Sequence, residues 1–523
     1  MRRHLLFFAL LCCLLPLQAQ GPAAALLPYP HTVTIDKGKP FAVNAKTGIS
    51  IAHTSLSFAA DNLQKALLKY FGREVAIEPA GNIALSLDPS LGDEHYLLTV
   101  NSRGIALKGG SEKAVLYAVM TLEQVMLGDP ASTLSGRIAA LTIDDSPRYP
   151  FRALMLDPAR HFLSVEEVKL FLDQMVKFKY NVLQLHLTDD QGWRIEIKCY
   201  PALTDSSRTG GYYTQAQMKE IIAYAAQRGI DILPEVDVPG HTLALLKAFP
   251  DLVCDFDGAS HNGVGNSMVC AASPKTYEVI GNIIDEVASL FPYPYLHLGG
   301  DEAVLEKNWK LCSRCSNLQK EQGYSKTPQF MGYFFEKVLA RVRQDGKRPI
   351  LWCELNNIRM PADDYLFPYP KDVTLVTWRN GLTPKCNELT AKSGNRLIMA
   401  PGEYCYFDYP QYRNDLPEYN NWGMPTTTLT QCYRLDPSYG LSPQKDRHIQ
   451  GVMGTLWGEA INDVNRACYM AFPRALALAE AGWSLMEQRT WSSFVERMYP
   501  NLDALARDGI SYRVPFEIIE RKQ

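Results

Sequence analysis

The sequence predicts an α/β protein: a (β/α)8 barrel of the TIM type preceded by a smaller α/β domain. From Phe151 onward, eight short apolar runs alternate with longer helical segments, the pattern of a parallel α/β fold, and eight strands are the number that closes a barrel. The runs are Arg152 to Asp157, Asn181 to Leu187, Asp231 to Asp237, Tyr295 to Gly299, Pro349 to Cys353, Val373 to Trp378, Arg396 to Ala400 and Gly451 to Trp457. Two intervening helices have readable starts. Ser164-Val165-Glu166-Glu167 is a capping box opening a helix to about Lys179, and Thr214-Gln215-Ala216-Gln217 opens another ending near Arg228-Gly229.

The smaller domain is read from residues 21 to 147. Tyr96, Leu98 and Val100 alternate with Leu97, Thr99 and Asn101 as in a half-buried strand, and Gly104 to Leu107 can pair back after a turn. Val115, Leu116, Val119, Met120, Leu122 and Val125 then recur at helical spacing, which suits a helix covering that sheet. Pro147-Arg148-Tyr149-Pro150 marks the boundary to the barrel, expected over residues 148–490, with 491–523 as a C-terminal tail packing on it.

At 523 residues and 46% hydrophobic composition, the chain can bury a substantial core in two domains. Residues 1–20 carry Arg2 and Arg3, an apolar stretch from Leu5 to Leu17, and Gln18-Ala19-Gln20. That is the form of a secretory signal, too short for a membrane span, with cleavage near Ala19 favoured over a lipid anchor at Cys12 or Cys13. An exported protein, periplasmic or extracellular, is therefore expected. Net charge is −3. There is no basic nucleic-acid surface, and no later apolar run is long enough to cross a bilayer.

Ten cysteines follow the leader. Cys254 with Cys270 and Cys312 with Cys315 are the close pairs, and an oxidising destination permits disulfides. Cys312-Ser313-Arg314-Cys315 reads as thiols or a local disulfide rather than half a zinc site, because no second Cys or His pair follows at finger spacing. No metal and no cofactor are expected.

The loops after barrel strands build active sites, so strand C-terminal ends come first. The fourth run stops at Gly299-Gly300 and then two adjacent carboxylates, Asp301 and Glu302. Such acids can cap the next helix. They can also divide labour, one staying ionised while its neighbour keeps a proton, as acid catalysis of glycoside cleavage requires. Other run ends carry Trp352-Cys353-Glu354, Trp378-Arg379 and Trp457-Gly458-Glu459, and Tyr404 to Tyr409 follows the seventh. A single Trp there is most often core, but three beside acids suit a cavity that stacks on sugar faces.

Residues 151 to about 485 resemble the family 20 glycoside hydrolases, the β-N-acetylhexosaminidases. The matching segments, in order, are Arg152 to Asp157 with Arg160-His161-Phe162, Asp189-Asp190-Gln191-Gly192-Trp193-Arg194, Pro234 to His241, and His297-Leu298-Gly299-Gly300-Asp301-Glu302. Residues 21 to 145 resemble the noncatalytic α/β domain that often precedes this barrel.

The resemblance implies exo-acting, retaining, substrate-assisted removal of terminal β-linked GlcNAc or GalNAc, an exception to the two-carboxylate scheme. The sugar's 2-acetamido oxygen attacks the anomeric carbon, Glu302 protonates the leaving oxygen and later activates water, and Asp301 steadies the acetamido N–H and the cationic intermediate. Tyr406 aims the acetamido carbonyl, and Trp352, Trp378 and Trp457 wall the ring. Arg152 offers a guanidinium fork for hydroxyls, with Asp408 and Glu459 as acceptors. His241 is a further candidate contact. Asp237, Asp190 and His297 are polar groups near the acid pair, and the Asp189 to Arg194 run is expected to build its loop rather than touch sugar.

Two other readings compete. A metal-dependent hydrolase would use His186, His241, His297 and Asp301, but the first strand lacks a His-x-His pair. A glycan-binding protein without turnover would have no need of a proton donor. GlcNAc against GalNAc preference, linkage, natural glycan and oligomeric state stay open.

Overall fold

Eight parallel strands close into a ring in chain order in the computed structural model, which describes residues 21–205, 210–256, 267–357, 362–413, 415, 423–438, 441 and 446–519. They are β1 (Phe151–Leu156), β2 (Val182–His186), β3 (Asp231–Glu235), β4 (Tyr295–His297), β5 (Arg348–Trp352), β6 (Thr374–Thr377), β7 (Arg396–Met399) and β8 (Ile449–Leu456). All eight lie within the runs read from sequence or overlap them. Every residue of β1 and of β2 is buried, as expected for strands covered on both faces. The ring closes where β8 pairs with β1, Met453 opposite Ala153. Gly451 sits at that seam with φ +153°, where a Cβ would meet the Phe151 carbonyl oxygen at 1.6 Å. Only glycine fits.

The helix after β1 spans Val165–Lys177 and begins with the expected reciprocal capping box between Ser164 and Glu167. The helix before β3 spans Gln215–Gln227 and uses Thr214 and Gln217 in the same way.

Ahead of the barrel stands a six-stranded mixed sheet in the order Thr32–Ile35, Leu141–Asp145, Tyr96–Asn101, Gly104–Gly109, Ile83–Leu87, Ile49–Ile51. Tyr96–Asn101 and Gly104–Gly109 form the antiparallel hairpin read from sequence. Helix Glu112–Gly128 lies on this sheet, and the Tyr96 hydroxyl, hydrogen-bonded to Thr121 of that helix at 2.7 Å, ties the two layers.

The two domains meet at the N-terminal ends of the barrel strands. There Arg152, 1% exposed, pairs with Glu94 at 2.7 Å and donates to the carbonyls of Lys179 and Tyr149. Trp483 covers its guanidinium at 4.9 Å and donates its indole N–H to Asp145 at 2.9 Å. The C-terminal helix Trp491–Arg507 reaches the same seam: Arg497 donates to the Leu26 carbonyl and Asn501 to that of Ala25. The tail therefore bridges both domains instead of packing on the barrel alone. The leader, with Cys12 and Cys13, lies outside the described residues. Among those described, no helix is long and apolar enough to cross a membrane. All ten cysteines are free thiols, so Cys312 and Cys315 form no local disulfide.

Candidate active site

The acid pair stands just past the C-terminal end of β4, at the barrel mouth. Gly299 (φ +61°) and Gly300 (φ +96°) turn the chain there, and the Asp237 carboxylate fills the space where a Gly299 Cβ would be, 1.8 Å from it. Asp237 also accepts the Gly300 amide at 3.0 Å. Burial and then the Asp301 charge push the Asp237 carboxyl well above its ordinary range, where it props the turn.

Asp301 is 7% exposed, and its Oδ1 is a buried oxygen without a hydrogen-bond partner among the described residues. Glu302 points outward, its side chain 51% exposed. Its backbone lies at φ +49°, and its amide is held by Glu354 at 3.3 Å. Glu354 in turn takes both prongs of Arg379, at 3.0 and 2.9 Å. Burial outweighs the Arg379 charge and brings the Glu354 carboxyl up to about 7.

His241 links the acids to a charged cluster. It too has a left-handed backbone, φ +53°. Its Nε2 is 3.9 Å from Asp301 and 3.7 Å from Glu302, and its Nδ1 is 3.4 Å from Asp189. Asp189 also meets Arg160 at 2.9 Å and His186 at 2.8 Å. Burial alone would raise the Asp189 carboxyl, but Arg160 and His241 hold it well below the carboxylate range. Burial likewise opposes protonation of His241, and Asp189 overrides it, so the imidazole pKa is raised well above 6.5.

The opposite wall comes from the segment after β7 and the end of β8. Phe407 donates its amide to the Thr455 carbonyl at 2.7 Å, and Tyr406 bridges Thr455, which sets Tyr406 to Asp408 beside Trp457 to Glu459. Buried Arg474 fixes the segment by donating to the carbonyls of Phe407, Tyr409 and Thr427. Tyr406 then packs with Tyr409 and Met424, flanked by half-buried Trp378 and Trp457. Burial keeps the Tyr406 phenol protonated, a donor. Burial and the neighbouring Glu459 raise Asp408, and burial also raises Glu459, against the pull of Arg160.

The structure brings Asp301, Glu302, Tyr406, Trp378, Trp457, Asp408, Glu459 and His241 to one mouth. Trp352, 1% exposed, lies beneath rather than beside the others: it packs on His297 and Trp457, and its indole N–H goes to Glu235 at 2.8 Å. His297 is fully buried there. Asp190 accepts the Ser267 hydroxyl and the Leu243 amide, and Arg194 donates to the Pro158 and Ala159 carbonyls, so that run builds the loop as expected.

Arg152 is a correction. Its place at the start of β1 puts it at the floor of the barrel, consumed by Glu94. The guanidinium at the mouth belongs to Arg160, beyond the end of the same strand. It pairs with Asp157 at 3.0 Å and Asp189 at 2.9 Å and lies 5.1 Å over the Trp457 ring. In the sequence Arg160 stands within the Arg160-His161-Phe162 segment, and its position past the strand's C-terminal end is the signal that places it at the mouth. Asp189 and Glu354 are functional residues that the sequence does not single out: Asp189 holds His241, and Glu354 holds the Glu302 amide.

A cavity with half-buried indoles on one side and a carboxylate and carboxylic-acid cluster on the other takes a pyranose ring, apolar on its faces and hydroxylated at its rim. That is the machinery of a glycoside hydrolase. The family model for the catalytic domain of glycosyl hydrolase family 20 matches residues 149–486, and that for domain 2 of the same family matches residues 23–146. The chain belongs to glycosyl hydrolase family 20. It is 37% identical to a beta-hexosaminidase of Akkermansia muciniphila, over 81% of this chain and 87% of that protein, and 32% identical to one of Porphyromonas gingivalis, over 98% and 69%. Among solved structures it is similar to the family 20 exo beta-N-acetylglucosaminidase of Vibrio harveyi in complex with N-acetylglucosamine (29% identity, TM-score 0.82, 96% and 80% of the two chains). It is also similar to a mutant Streptomyces plicatus beta-hexosaminidase in complex with its product GlcNAc (28% identity, TM-score 0.80, 95% and 98%).

Proposed function

We propose that the protein is an exo-acting, retaining β-N-acetylhexosaminidase that removes terminal β-linked GlcNAc or GalNAc by substrate-assisted catalysis, the family 20 exception to the two-carboxylate scheme. The carrying observation is the pair itself: a buried carboxylate oxygen on Asp301 without a hydrogen-bond partner among the described residues, next to a solvent-reaching Glu302. In this reading the acetamido N–H satisfies Asp301 and the Tyr406 hydroxyl orients the acetamido carbonyl. The acetamido oxygen bonds to the anomeric carbon as the glycosidic bond breaks, and the Glu302 proton goes to the leaving oxygen. Glu302 then takes a proton from the water that opens the oxazolinium-type intermediate. Asp301 stabilises the positive charge that develops.

Arg160, Asp408 and Glu459 supply donors and acceptors to the outer hydroxyls. Asp408 Oδ1, Glu459 Oε2 and the Trp378 indole N–H also have no hydrogen-bond partner in the described structure. A sugar that satisfies them relieves a desolvation cost of about 1–3 kcal/mol for each. The protein acts on N-acetylhexosamine-terminated oligosaccharides or glycoconjugates, and residues 1–20 direct it out of the cytoplasm, to the periplasm or beyond.

Release of a chromogenic aglycone from a β-N-acetylglucosaminide without added metal is the expected activity, with competitive inhibition by a thiazoline analogue of the cyclised intermediate. Trapping a covalent glycosyl ester on a side chain would overturn the mechanism.

A further inference from the structure

We propose that Cys254, Cys270, Cys312 and Cys315 bind a single structural zinc ion that staples the loop after β3 to the loop after β4. Their four sulfur atoms all lie within 4.8 Å of one another, and all four residues are buried. Cys270 Sγ is 3.6 Å from Cys315 Sγ and 4.0 Å from Cys312 Sγ. Zinc–sulfur bonds of about 2.3 Å in a tetrahedron put sulfurs roughly 3.8 Å apart. A disulfide needs about 2.05 Å. The spacing fits a shared cation and is far from a bonded pair.

The local backbone fits as well. Cys312 and Cys315 form a Cys-x-x-Cys turn in which the Cys315 amide points at Cys312 Sγ, at 3.5 Å. Such an amide lowers the charge on a metal-bound thiolate. Cys254 and Cys270 flank a short antiparallel bridge between Val253 and Val269, which brings the two cysteines to one edge. Four thiolates around Zn²⁺ carry a net charge of −2 after their protons leave. Arg314, between the two ligands of the turn, donates to the Val253 carbonyl at 2.8 Å and supplies a positive charge beside the cluster. Asp255 now accepts from the Cys312 thiol at 2.8 Å. When that proton leaves, the Ser313 amide and hydroxyl, which already donate to Asp255, keep the carboxylate satisfied.

With four protein ligands the site is closed, which makes it structural rather than catalytic. Its place ties it to the mouth nonetheless. Val269, next to Cys270, donates its amide to the Pro239 carbonyl, two residues before His241, and accepts the Trp309 indole N–H at 2.8 Å. Cys312 follows the Leu305–Lys307 turn that leads away from Glu302. The ion would thus hold the His241 loop and the acid-pair loop in register.

The test uses the full chain, purified without chelator. One zinc per chain is expected by elemental analysis, with release complete once a mercurial reagent has titrated four thiols beyond the exposed Cys199. Replacing the zinc by Co²⁺ should give the thiolate-to-cobalt charge-transfer and intense visible bands of a tetrahedral sulfur site. Cys254→Ser and Cys312→Ser should each lower bound zinc to about a tenth or less and reduce Tm, whereas Cys199→Ser, at an exposed thiol outside the cluster, should change neither. The wild-type cobalt spectrum decides the matter even if the serine variants fail to fold. Protein prepared with zinc present that holds no metal, or an intact mass and peptide map showing the four cysteines joined as disulfides, would overturn the proposal.

Discussion

The two ends of the barrel use the same chemistry to opposite purposes. At the floor, Arg152, Glu94 and Trp483 form a buried cluster in which every guanidinium nitrogen has a partner. At the mouth, Arg160, Asp189 and Trp457 repeat the combination of arginine, acid and indole. Around them Asp301, Asp408 and Glu459 keep buried oxygens unpaired among the described residues, and His241 and Glu302 hold left-handed backbones without being glycine. The Arg152 cluster is complete and marks a seam, whereas the incomplete acids at the mouth mark a place that awaits a ligand; backbone strain does not separate the ends, since Lys179 at the floor also lies at φ +60°. Residue type does not distinguish the two ends, but completeness does.

The sharpest way to break this contrast is Glu302→Gln. Its kcat/KM on an aryl β-N-acetylglucosaminide should fall by about 10²–10⁴-fold, while Tm stays nearly unchanged because the side chain is half exposed and its one ion-pair contact, to His241 at 3.7 Å, is loose. Activity that survives the change would sink the catalytic assignment. Arg152→Met should do the reverse: it strands Glu94 in the seam and destabilises the fold by about 3–5 kcal/mol in urea denaturation. Kinetics per folded molecule should stay within about two-fold of wild type. A raised KM with normal stability would return Arg152 to the substrate site.

The floor also has a pH signature. Burial pushes the Glu94 carboxyl up, but the charges of Arg152 and Lys113 win and bring it down from 4.5 to about 2. A depressed carboxyl stabilises the fold above its unfolded value, so the contribution is full above pH 4.5 and fades as pH falls toward 2. Stability measured across that window should drop by on the order of 3 kcal/mol more in wild type than in Glu94→Gln. The smallest expected effect tests the strain. Glu302→Gly, inactive for lack of the acid, should gain about 1 kcal/mol of stability as the left-handed backbone is relieved. A loss of stability there would mean that the glutamate side chain contributes packing that its exposure conceals.

Much of this was legible in the sequence, for physical reasons. Strands buried on both faces need unbroken apolar runs, and all eight were readable. Ser164 and Thr214 announce their helices because each satisfies an end that lacks intrachain partners. The Gly299-Gly300 pair before two acids is equally explicit, since no residue with a Cβ could lie against Asp237. Arg152 misled because its motif gave the residue type without the direction of the strand. A parallel barrel has only one reactive end, and the second residue of a strand lies at the other. The cysteine quartet was hidden differently. Its halves lie on either side of helix Pro274–Leu290 and β4, so no spacing in the chain records that they meet.

The glycine at the β8–β1 seam has a consequence for biosynthesis. The ring is sealed by its last-made strand against its first, so during translation the β1 edge emerges early and has no neighbour on that side until residue 456 has been added. For that interval the nascent protein exposes an open sheet border able to recruit foreign strands.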